Sequence, residues 1–187
     1  MPKKKLRQTI LAMRQTLSGL AVDSLSLLVQ KQFIESEEFE KARTLALYAP
    51  IRNEVGTLLV FSEAVAAGKT VLFPIVSGDG LQFGRISCWD QLATGAFGIP
   101  EPDRSLEQFE PEEADSIVIP GVVFDLKGNR IGFGKGYYDK AFHDFEGKGK
   151  LVGFCYEFQL VEEIRGEPHD VMMDMLITEK RVIRPRD

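Results

Sequence analysis

Three alternating glycines form the strongest candidate for a phosphate-binding loop in this sequence: Gly132, Gly134 and Gly136. They lie between a predicted buried strand and a predicted helix, and ligands of open α/β sheets bind where strands end. A loop of this composition lets backbone N–H groups converge on an anion, and the N-terminus of the following helix adds a favourable dipole. The segment therefore predicts a phosphate site.

Charged residues around these glycines extend the same interpretation. Arg130 precedes the glycines and Lys135 lies between the last two, which supplies the positive charge that a chain of phosphates requires. Asp139 falls one turn into the predicted helix, where its carboxylate could hold Mg²⁺ on phosphate oxygens. The alternative interpretation is a flexible surface turn whose charged neighbours form an ion pair.

Familiar catalytic motifs are absent, which gives little support to a covalent nucleophile or a zinc hydrolase. The sequence contains no G-x-G-x-x-G, G-x-S-x-G, C-x-x-C or H-E-x-x-H pattern, and two histidines cannot form a three-histidine zinc site. Gly68-Lys69-Thr70 resembles the end of a Walker A motif, but Glu63 stands where the first glycine is required. The two cysteines, Cys88 and Cys155, are too few for a disulfide framework and fit a reducing cytoplasm.

Two other polar segments border predicted strands, and each has a plain structural alternative. Glu54 could accept hydrogen bonds from a polar ligand, but its place just before a helix capped by Thr57 favours a surface acid. Asp170 could bind a metal, although an Asx turn is the commoner use of such a residue. His169 fits a turn as well as it fits a catalytic role.

The 187-residue chain is acidic overall but begins with a basic segment. Its net charge is −5, yet residues 1–22 carry five cations and no acid, and the rest carries 18 basic and 28 acidic residues. An acidic body argues against general nucleic-acid binding, which needs a basic footprint. The basic segment fits a solvated tail, a nucleic-acid arm or the anion-binding wall of a cleft, and composition does not choose among them.

Residues 3–17 are predicted to form a helix that places part of this charge beside a buried face. At about 100° per residue, four apolar side chains fall in one narrow stripe: Leu6, Ile10, Met13 and Leu17. Three cations border the stripe instead of opposing it: Lys3, Arg7 and Arg14. Their long stems could reach from the packed face toward a cleft, whereas Lys4 and Lys5 point away.

Predicted strands alternate with predicted helices, which favours an α/β fold with a largely parallel central sheet. Helices are predicted at residues 23–37, with Asp23 as N-cap, at 57–67, and at 137–145. Strands are predicted at residues 44–49, 71–76, 81–86, 116–119, 122–124, 151–155 and 175–178. We expect one domain over residues 1–187, with the helices of residues 3–37 packed on the α/β core.

Taken together, these residues resemble the 5-formyltetrahydrofolate cyclo-ligase family, also called 5,10-methenyltetrahydrofolate synthetases. The likeness spans nearly the whole chain, and the run from Arg130 to Asp139 is specific to the family. The matching motifs, in chain order, are Lys3-x-x-x-Arg7, Glu54-x-x-Thr57, Phe73-Pro74, Ile99-Pro100-Glu101-Pro102, Pro120-Gly121-x-x-Phe124-Asp125, Gly128-Asn129-Arg130-x-Gly132-x-Gly134-Lys135-Gly136-Tyr137-Tyr138-Asp139 and His169-Asp170-x-x-x-Asp174.

The resemblance implies a fold like that of the sugar-phosphate isomerase and CoA-transferase group. It implies a reaction in which ATP and Mg²⁺ support cyclisation of 5-formyltetrahydrofolate to 5,10-methenyltetrahydrofolate, with release of ADP and phosphate. The γ-phosphoryl group would move to the formyl oxygen, and folate N10 would then attack the activated carbon. Because the attacking groups belong to the substrate, such an enzyme needs positioning and charge neutralisation more than a nucleophile of its own.

The resemblance also implies roles for individual residues. Contacts with ATP are implied for Lys3, Arg7, Arg130, Ile131, Gly132, Phe133, Gly134, Lys135, Gly136, Tyr137 and Tyr138. Contacts with the folate are implied for Ala49, Glu54, Phe133, Gly134, Lys135, Gly136 and Tyr137. The expected catalytic residues are Arg130, Lys135 and Tyr137, and the expected magnesium ligands are Asp139 and Asp170. Some relatives carry a basic residue or tyrosine at position 133, whereas this chain has phenylalanine. A direct phosphate contact from the Phe133 side chain is therefore excluded, and only its backbone N–H is available.

Two other functions stay open beside the cyclo-ligase. One is a non-catalytic nucleotide- or RNA-binding module on the same fold, which the acidic body and the intact loop disfavour. The other is a sugar-phosphate isomerase, disfavoured because the basic helix and the magnesium carboxylate suit ATP better than a monophosphate. We expect a cytoplasmic monomer or weak dimer without nucleic-acid or membrane partners, since no apolar run approaches the roughly 20 residues of a membrane helix.

Overall fold

The α-helices of the protein lie mostly in its N-terminal third. A computed structural model describes residues 2–78, 80–143, 149–167 and 170–185. The α-helices in these ranges are α1 (Lys3–Gln15), α2 (Gly19–Ile34), α3 (Glu37–Glu40), α4 (Leu58–Ala66) and α5 (Tyr137–Phe142). Short 3₁₀ helices occupy Trp89–Gln91, Ala96–Gly98, Pro111–Glu113 and Glu157–Gln159. Within the described ranges, no helix is long and apolar enough to cross a membrane.

The strands form one large sheet and two small ones. In chain order they are β1 (Thr44–Ala46), β2 (Thr70–Ser77), β3 (Gly80–Ile86), β4 (Leu92–Thr94), β5 (Pro100–Pro102), β6 (Gln108–Phe109), β7 (Ser116–Ile119), β8 (Val123–Asp125), β9 (Arg130–Ile131), β10 (Lys150–Phe154), β11 (Leu160–Val161), β12 (Met175–Ile177) and β13 (Val182–Ile183). The large sheet has the order β13-β12-β10-β7-β1-β2-β3-β6. Its central strands, from β12 to β2, are parallel. The predicted α/β class with a largely parallel sheet is confirmed.

Apolar side chains cover both faces of the large sheet. Alternate residues of β2 face opposite sides, as the strand period requires. Val71 and Phe73 join the cluster that α2 and α4 cover, while Leu72 joins the cluster that contains Phe142 of α5. Burial on both faces is what a parallel sheet demands, and each fully buried large apolar side chain contributes about 1.5–3 kcal/mol.

A separate three-stranded sheet, β11-β8-β9, leads into the glycine-rich loop. The strand expected at residues 122–124 is present as β8, but it pairs antiparallel with β9 outside the large sheet. The buried Asp125 carboxylate anchors this hairpin by accepting hydrogen bonds from the N–H groups of Lys127, Asn129 and Ile164. The loop therefore follows a side hairpin rather than a strand of the central sheet.

The start of α2 differs from the prediction. The helix begins at Gly19, well before Asp23, and ends at Ile34. Ser18 is its N-cap, because its side-chain oxygen accepts a hydrogen bond from the Ala21 N–H. The predicted boundary at Asp23 is therefore wrong, since the serine at the preceding turn provides the first cap along the chain.

The buried face of α1 also differs from the predicted stripe. Ile10 is buried as expected, but Met13 is 44% exposed and the adjacent Arg14 is 1% exposed. The prediction that Met13 is buried is therefore wrong, since a charged side chain occupies the interior position. Helical periodicity predicted the buried face of α1, but not that Arg14 instead of Met13 turns inward.

The ends of α4 follow the predicted boundaries with one difference in capping. Thr57 occupies the N-cap position, but its hydroxyl donates to the Tyr48 carbonyl, and the Gln30 side chain caps the first turn instead. Gly68 has a φ of 72°, which confirms the predicted C′ glycine. Lys69 donates to backbone carbonyls of the α3–β1 connection, in keeping with the rejection of a Walker A motif.

Candidate active site

The glycine-rich loop connects β9 to α5 and bends in ways that require glycine. Gly134 and Gly136 have φ values of 103° and 69°, in the left-handed region that side chains rarely adopt. The Gly132 carbonyl accepts a 2.8 Å hydrogen bond from Arg7 Nε. The Arg7 guanidinium lies 3.5 Å from the point where a Cβ on Gly134 would stand. The basic face of α1 therefore runs directly along the loop.

A buried ion pair joins the two ends of the loop. Arg130 Nη1 donates to Asp139 Oδ1 at 2.8 Å, and the two side chains are 3% and 22% exposed. Burial lowers the pKa of Arg130, and the Asp139 charge opposes that shift. The guanidinium also lies 5.9 Å from the ring centre of Tyr138, and its buried Nε has no hydrogen-bond partner among the described residues. The ion pair of the alternative interpretation is real, but it is buried rather than at a surface turn.

The N-terminus of α1 meets the segment around Asp170. Lys3 Nζ donates to Asp170 Oδ2 at 2.8 Å and to Glu167 Oε1 at 3.0 Å. Burial opposes the charge of Lys3, but its hydrogen bonds to the two carboxylates raise its pKa above the ordinary value. Because the N–H of Val171 donates to Asp139, the two expected magnesium ligands lie in adjoining segments. His169 lies outside the described residues.

The two carboxylates fit a magnesium ion that phosphates also hold. No group of three or more His, Cys, Asp or Glu side chains gathers within the described ranges, so these residues form no cage of their own. Mg²⁺ in nucleotide sites is held by one or two carboxylates together with phosphate and water oxygens. The described contacts of Asp139 all engage Oδ1, which keeps Oδ2 available for such a role.

Glu54 lies inside the protein, in the segment that follows β1. It is 5% exposed, and its Oε2 accepts a 2.9 Å hydrogen bond from the Ile51 N–H. Burial raises the pKa of Glu54 to about 7, against the opposing charge of Arg14. The interpretation of Glu54 as a surface acid is therefore wrong, because the chain reverses at Arg52 and Asn53 (φ 49° and 58°) and turns the carboxylate inward. Ala49 is buried in the same segment.

Two aromatic rings extend the site beyond the loop backbone. The guanidinium groups of Arg14 and Arg52 each lie 5.5 Å from the ring centre of Phe133. Phe97 is 65% exposed, its ring centre is 6.2 Å from that of Tyr137, and Lys135 Nζ lies 5.2 Å from it. The sequence predicted no role for Phe97 or Arg52. Helical periodicity placed Arg14 at the edge of the buried face of α1, from where it could reach a cleft, but its side chain is 1% exposed and donates to the backbone carbonyls of Arg52 and Gly121.

A cleft of about 910 Å³ opens beside the N-terminus of α1. Lys3, Leu6 and Ile131 line one side of it, and residues 163–167 line the other. Of the predicted ATP contacts, Lys3 and Ile131 line this cleft, whereas Arg7, Arg130 and residues 132–138 are not among its lining residues. The cleft is large enough for a ligand of nucleotide size.

Fold and site together define an α/β protein in which a basic N-terminal helix lies along a glycine-rich loop and meets a segment that carries one of two neighbouring carboxylates. The chain belongs to the 5-formyltetrahydrofolate cyclo-ligase family, whose family model matches residues 1–179. The resemblance stated from the motifs is therefore confirmed, and the family's members are ligases.

Individual relatives match three quarters of the chain or more. A 5-formyltetrahydrofolate cyclo-ligase of Mycolicibacterium smegmatis is 32% identical over 148 residues, which cover 75% of this chain and 76% of that protein. The solved 5,10-methenyltetrahydrofolate synthetase of Aquifex aeolicus is 40% identical with a TM-score of 0.89, covering 100% of this chain and 94% of that one. The synthetase of Mycoplasma pneumoniae is 28% identical with a TM-score of 0.77, covering 96% and 99%.

Proposed function

We propose that this chain catalyses the ATP-dependent cyclisation of 5-formyltetrahydrofolate to 5,10-methenyltetrahydrofolate, with release of ADP and phosphate. The observation that carries the proposal is the convergence of three segments on the glycine-rich loop. Arg7 contacts Gly132, Arg130 pairs with Asp139, and Lys3 contacts Asp170. Cations gathered around exposed backbone N–H groups fit a polyphosphate, and family membership supports this reaction.

In the proposed site the triphosphate lies along α1 and the loop. Four cations would face it: Lys3, Arg7, Arg130 and Lys135. The backbone from residue 131 to residue 138 would supply N–H donors, and Tyr137 would stand beside the transferred group. The folate would occupy the side of the loop that faces Ala49 and Glu54, where residues 133–137 border both substrates.

The substrates supply the nucleophiles in this reaction. In the first step the formyl oxygen attacks the γ-phosphorus and the bond to ADP breaks. In the second step N10 attacks the activated carbon and loses its proton, and phosphate departs with the former formyl oxygen. The residues of this chain orient the two substrates, exclude water and offset negative charge.

The two carboxylates complete the proposed phosphate site. Asp139 and Asp170 would hold Mg²⁺, which on phosphate oxygens neutralises charge that develops during phosphoryl transfer. The Arg130 guanidinium, buried against Asp139, keeps that carboxylate oriented toward the loop.

The proposal is tested by mixing the folded protein with 5-formyltetrahydrofolate and MgATP. We expect the near-ultraviolet absorbance of the methenyl product to rise, with one ADP formed for each product molecule and neither formed when ATP is omitted. A nucleotide-binding module would bind ATP without making product. Absence of product from folded protein would overturn the proposal.

Arg7→Ala is expected to raise the Michaelis constant for ATP about tenfold, the effect of losing roughly 1.4 kcal/mol of a charge-assisted contact. Lys5→Ala is the matched control, because Lys5 lies on the same helix with the same charge but is exposed. Steady-state kinetics with varied ATP measure both. Equal effects of the two substitutions would contradict the placement of the basic helix face along the loop.

The proposal extends to the setting of the enzyme. We propose a cytoplasmic protein whose residues 1–187 form one domain, active as a monomer or weak dimer without a nucleic-acid partner. The described thiols, Cys88 and Cys155, are both free, which fits a reducing compartment. Sedimentation of the active protein measures its oligomeric state.

A further inference from the structure

Arg14 is a buried cation without an assigned role in the proposed reaction. Its Nε donates to the Arg52 carbonyl at 3.0 Å and its Nη1 donates to the Gly121 carbonyl at 3.2 Å. Its Nη2 is buried and has no hydrogen-bond partner among the described residues. Buried N–H groups are nearly always paired. This unpaired nitrogen therefore indicates that the guanidinium has a role besides its two hydrogen bonds.

The acceptor that faces this nitrogen is the carboxylate of Glu54. Arg14 Nη2 lies 3.9 Å from Glu54 Oε1, which is beyond hydrogen-bond range. Glu54 Oε2 accepts from the Ile51 N–H, and within the described residues Oε1 accepts no hydrogen bond. One oxygen of this carboxylate thus stays open for a ligand, with a fixed positive charge 3.9 Å away.

We propose that Arg14 is a positioning residue of the folate site, whose charge favours the ionised form of the Glu54 carboxylate, so that this group accepts hydrogen bonds from the donor edge of the pterin ring. This inference rests on the proposed function, because the pterin belongs to the proposed substrate. A pterin presents N3–H and the 2-amino group side by side. An ionised carboxylate accepts from both, whereas a protonated carboxyl places a donor against a donor.

The charges around Glu54 assign this task to Arg14. The ionisable side chains that face Glu54 within the described residues are Arg14, Arg52, Tyr48, Tyr138 and Tyr156. Burial raises the pKa of the three tyrosines, so they remain neutral near neutral pH. Arg52 is exposed and its charge is screened by solvent, whereas Arg14 is 1% exposed.

The anchoring of Arg14 keeps its charge in place. Two backbone carbonyls fix the guanidinium, and the Phe133 ring lies 5.5 Å from it. These contacts join α1 to the segments that follow β1 and β7. Because the same contacts also stabilise the fold, the test must separate an effect on Glu54 from a general loss of structure.

The pH dependence of the Michaelis constant for 5-formyltetrahydrofolate provides that separation. Since burial raises the pKa of Glu54 to about 7, we expect wild-type affinity for the folate to improve as pH rises through that value. In Arg14→Met the pKa rises further, so the midpoint moves up by about one unit or more and the constant near neutral pH rises about fivefold. At alkaline pH most of that loss is recovered.

Three matched variants define the controls. Arg14→Lys keeps a charge and should keep the midpoint near the wild-type value. Arg52→Met removes the other arginine beside Phe133 and should move the midpoint far less. Glu54→Gln should abolish the pH dependence, which separates the titration of Glu54 from that of the substrate. A midpoint that is the same in Arg14→Met, Arg14→Lys and the wild type would overturn the proposal.

Carbon-13 NMR of the Glu54 carboxyl, assigned against Glu54→Gln, measures the same coupling without turnover. We expect a higher carboxyl pKa in Arg14→Met than in the wild type. If Arg14→Met does not fold, the wild type and Arg52→Met still decide, because a carboxyl pKa that rises in Arg52→Met would assign the stabilising charge to Arg52 and contradict the proposal. An inactive wild type would overturn the proposed function alone, since the NMR titration does not need the reaction.

Discussion

Lys135→Ala is expected to lower kcat/KM for the cyclisation about a hundredfold, because one positioned charge at a transferring phosphoryl group has an effect of that size. The same substitution should leave the melting temperature nearly unchanged. Lys135 is exposed, and its described contact is the Phe97 ring, 5.2 Å from Nζ, so little structure depends on it. Kinetics and thermal unfolding of the purified variant measure both quantities.

The matched control for this experiment is Lys150→Ala. Lys150 is also exposed, but it begins β10 and so lies at the edge of the parallel sheet opposite the segments that follow β1 and β7. We expect wild-type kinetics from this variant. If both lysine variants kept wild-type kinetics, the assignment of Lys135 to the phosphate site would be wrong.

Asp139→Asn is expected to lower turnover more than a hundredfold and also to destabilise the protein. Asp139 is the described partner of the Arg130 guanidinium, whose side chain is 3% exposed. Breaking a pair of this kind leaves a buried charge uncompensated, which costs about 2 kcal/mol or more after allowance for the partial exposure of Asp139. Chemical denaturation and turnover measured under one set of conditions test both effects.

A double variant separates the two roles of Asp139. Arg130→Met combined with Asp139→Asn removes both charges, so part of the lost stability should return because no charge is left buried and unpaired. Activity should not return, because Arg130 and Asp139 both face the phosphates in the proposed site. Recovery of activity together with stability would show that Asp139 has only a structural role.

Local patterns in the sequence were enough to predict the parts of the site that depend on neighbouring residues. The alternation of strands and helices predicted the α/β class, and the spacing of glycines between Arg130 and Asp139 predicted the loop. Helical periodicity placed Lys3 and Arg7 beside a buried face, where Arg7 contacts the loop expected to bind ATP and Lys3 contacts Asp170, an expected magnesium ligand. Each of these inferences uses residues within a few turns of one another.

The electrostatics of Glu54 could not be predicted in this way. Arg14 reaches its two carbonyl partners across 38 and 107 residues of sequence, so no local pattern indicates that an arginine replaces Met13 in the interior. The inward turn of Glu54 depends on two non-glycine residues with positive φ, which sequence patterns rarely predict. Long-range packing decides both, and it changes Glu54 from an expected surface acid into a buried carboxylate.

The fate of the formyl oxygen shows whether the folate is phosphorylated during the reaction. 5-Formyltetrahydrofolate labelled with ¹⁸O in the formyl group is converted with MgATP under single-turnover conditions, and the phosphate is analysed by mass spectrometry. The proposed phosphorylation of that oxygen predicts one labelled oxygen in each phosphate released with the methenyl product. Unlabelled phosphate formed alongside the methenyl product, or hydrolysis of ATP without that product, would contradict it.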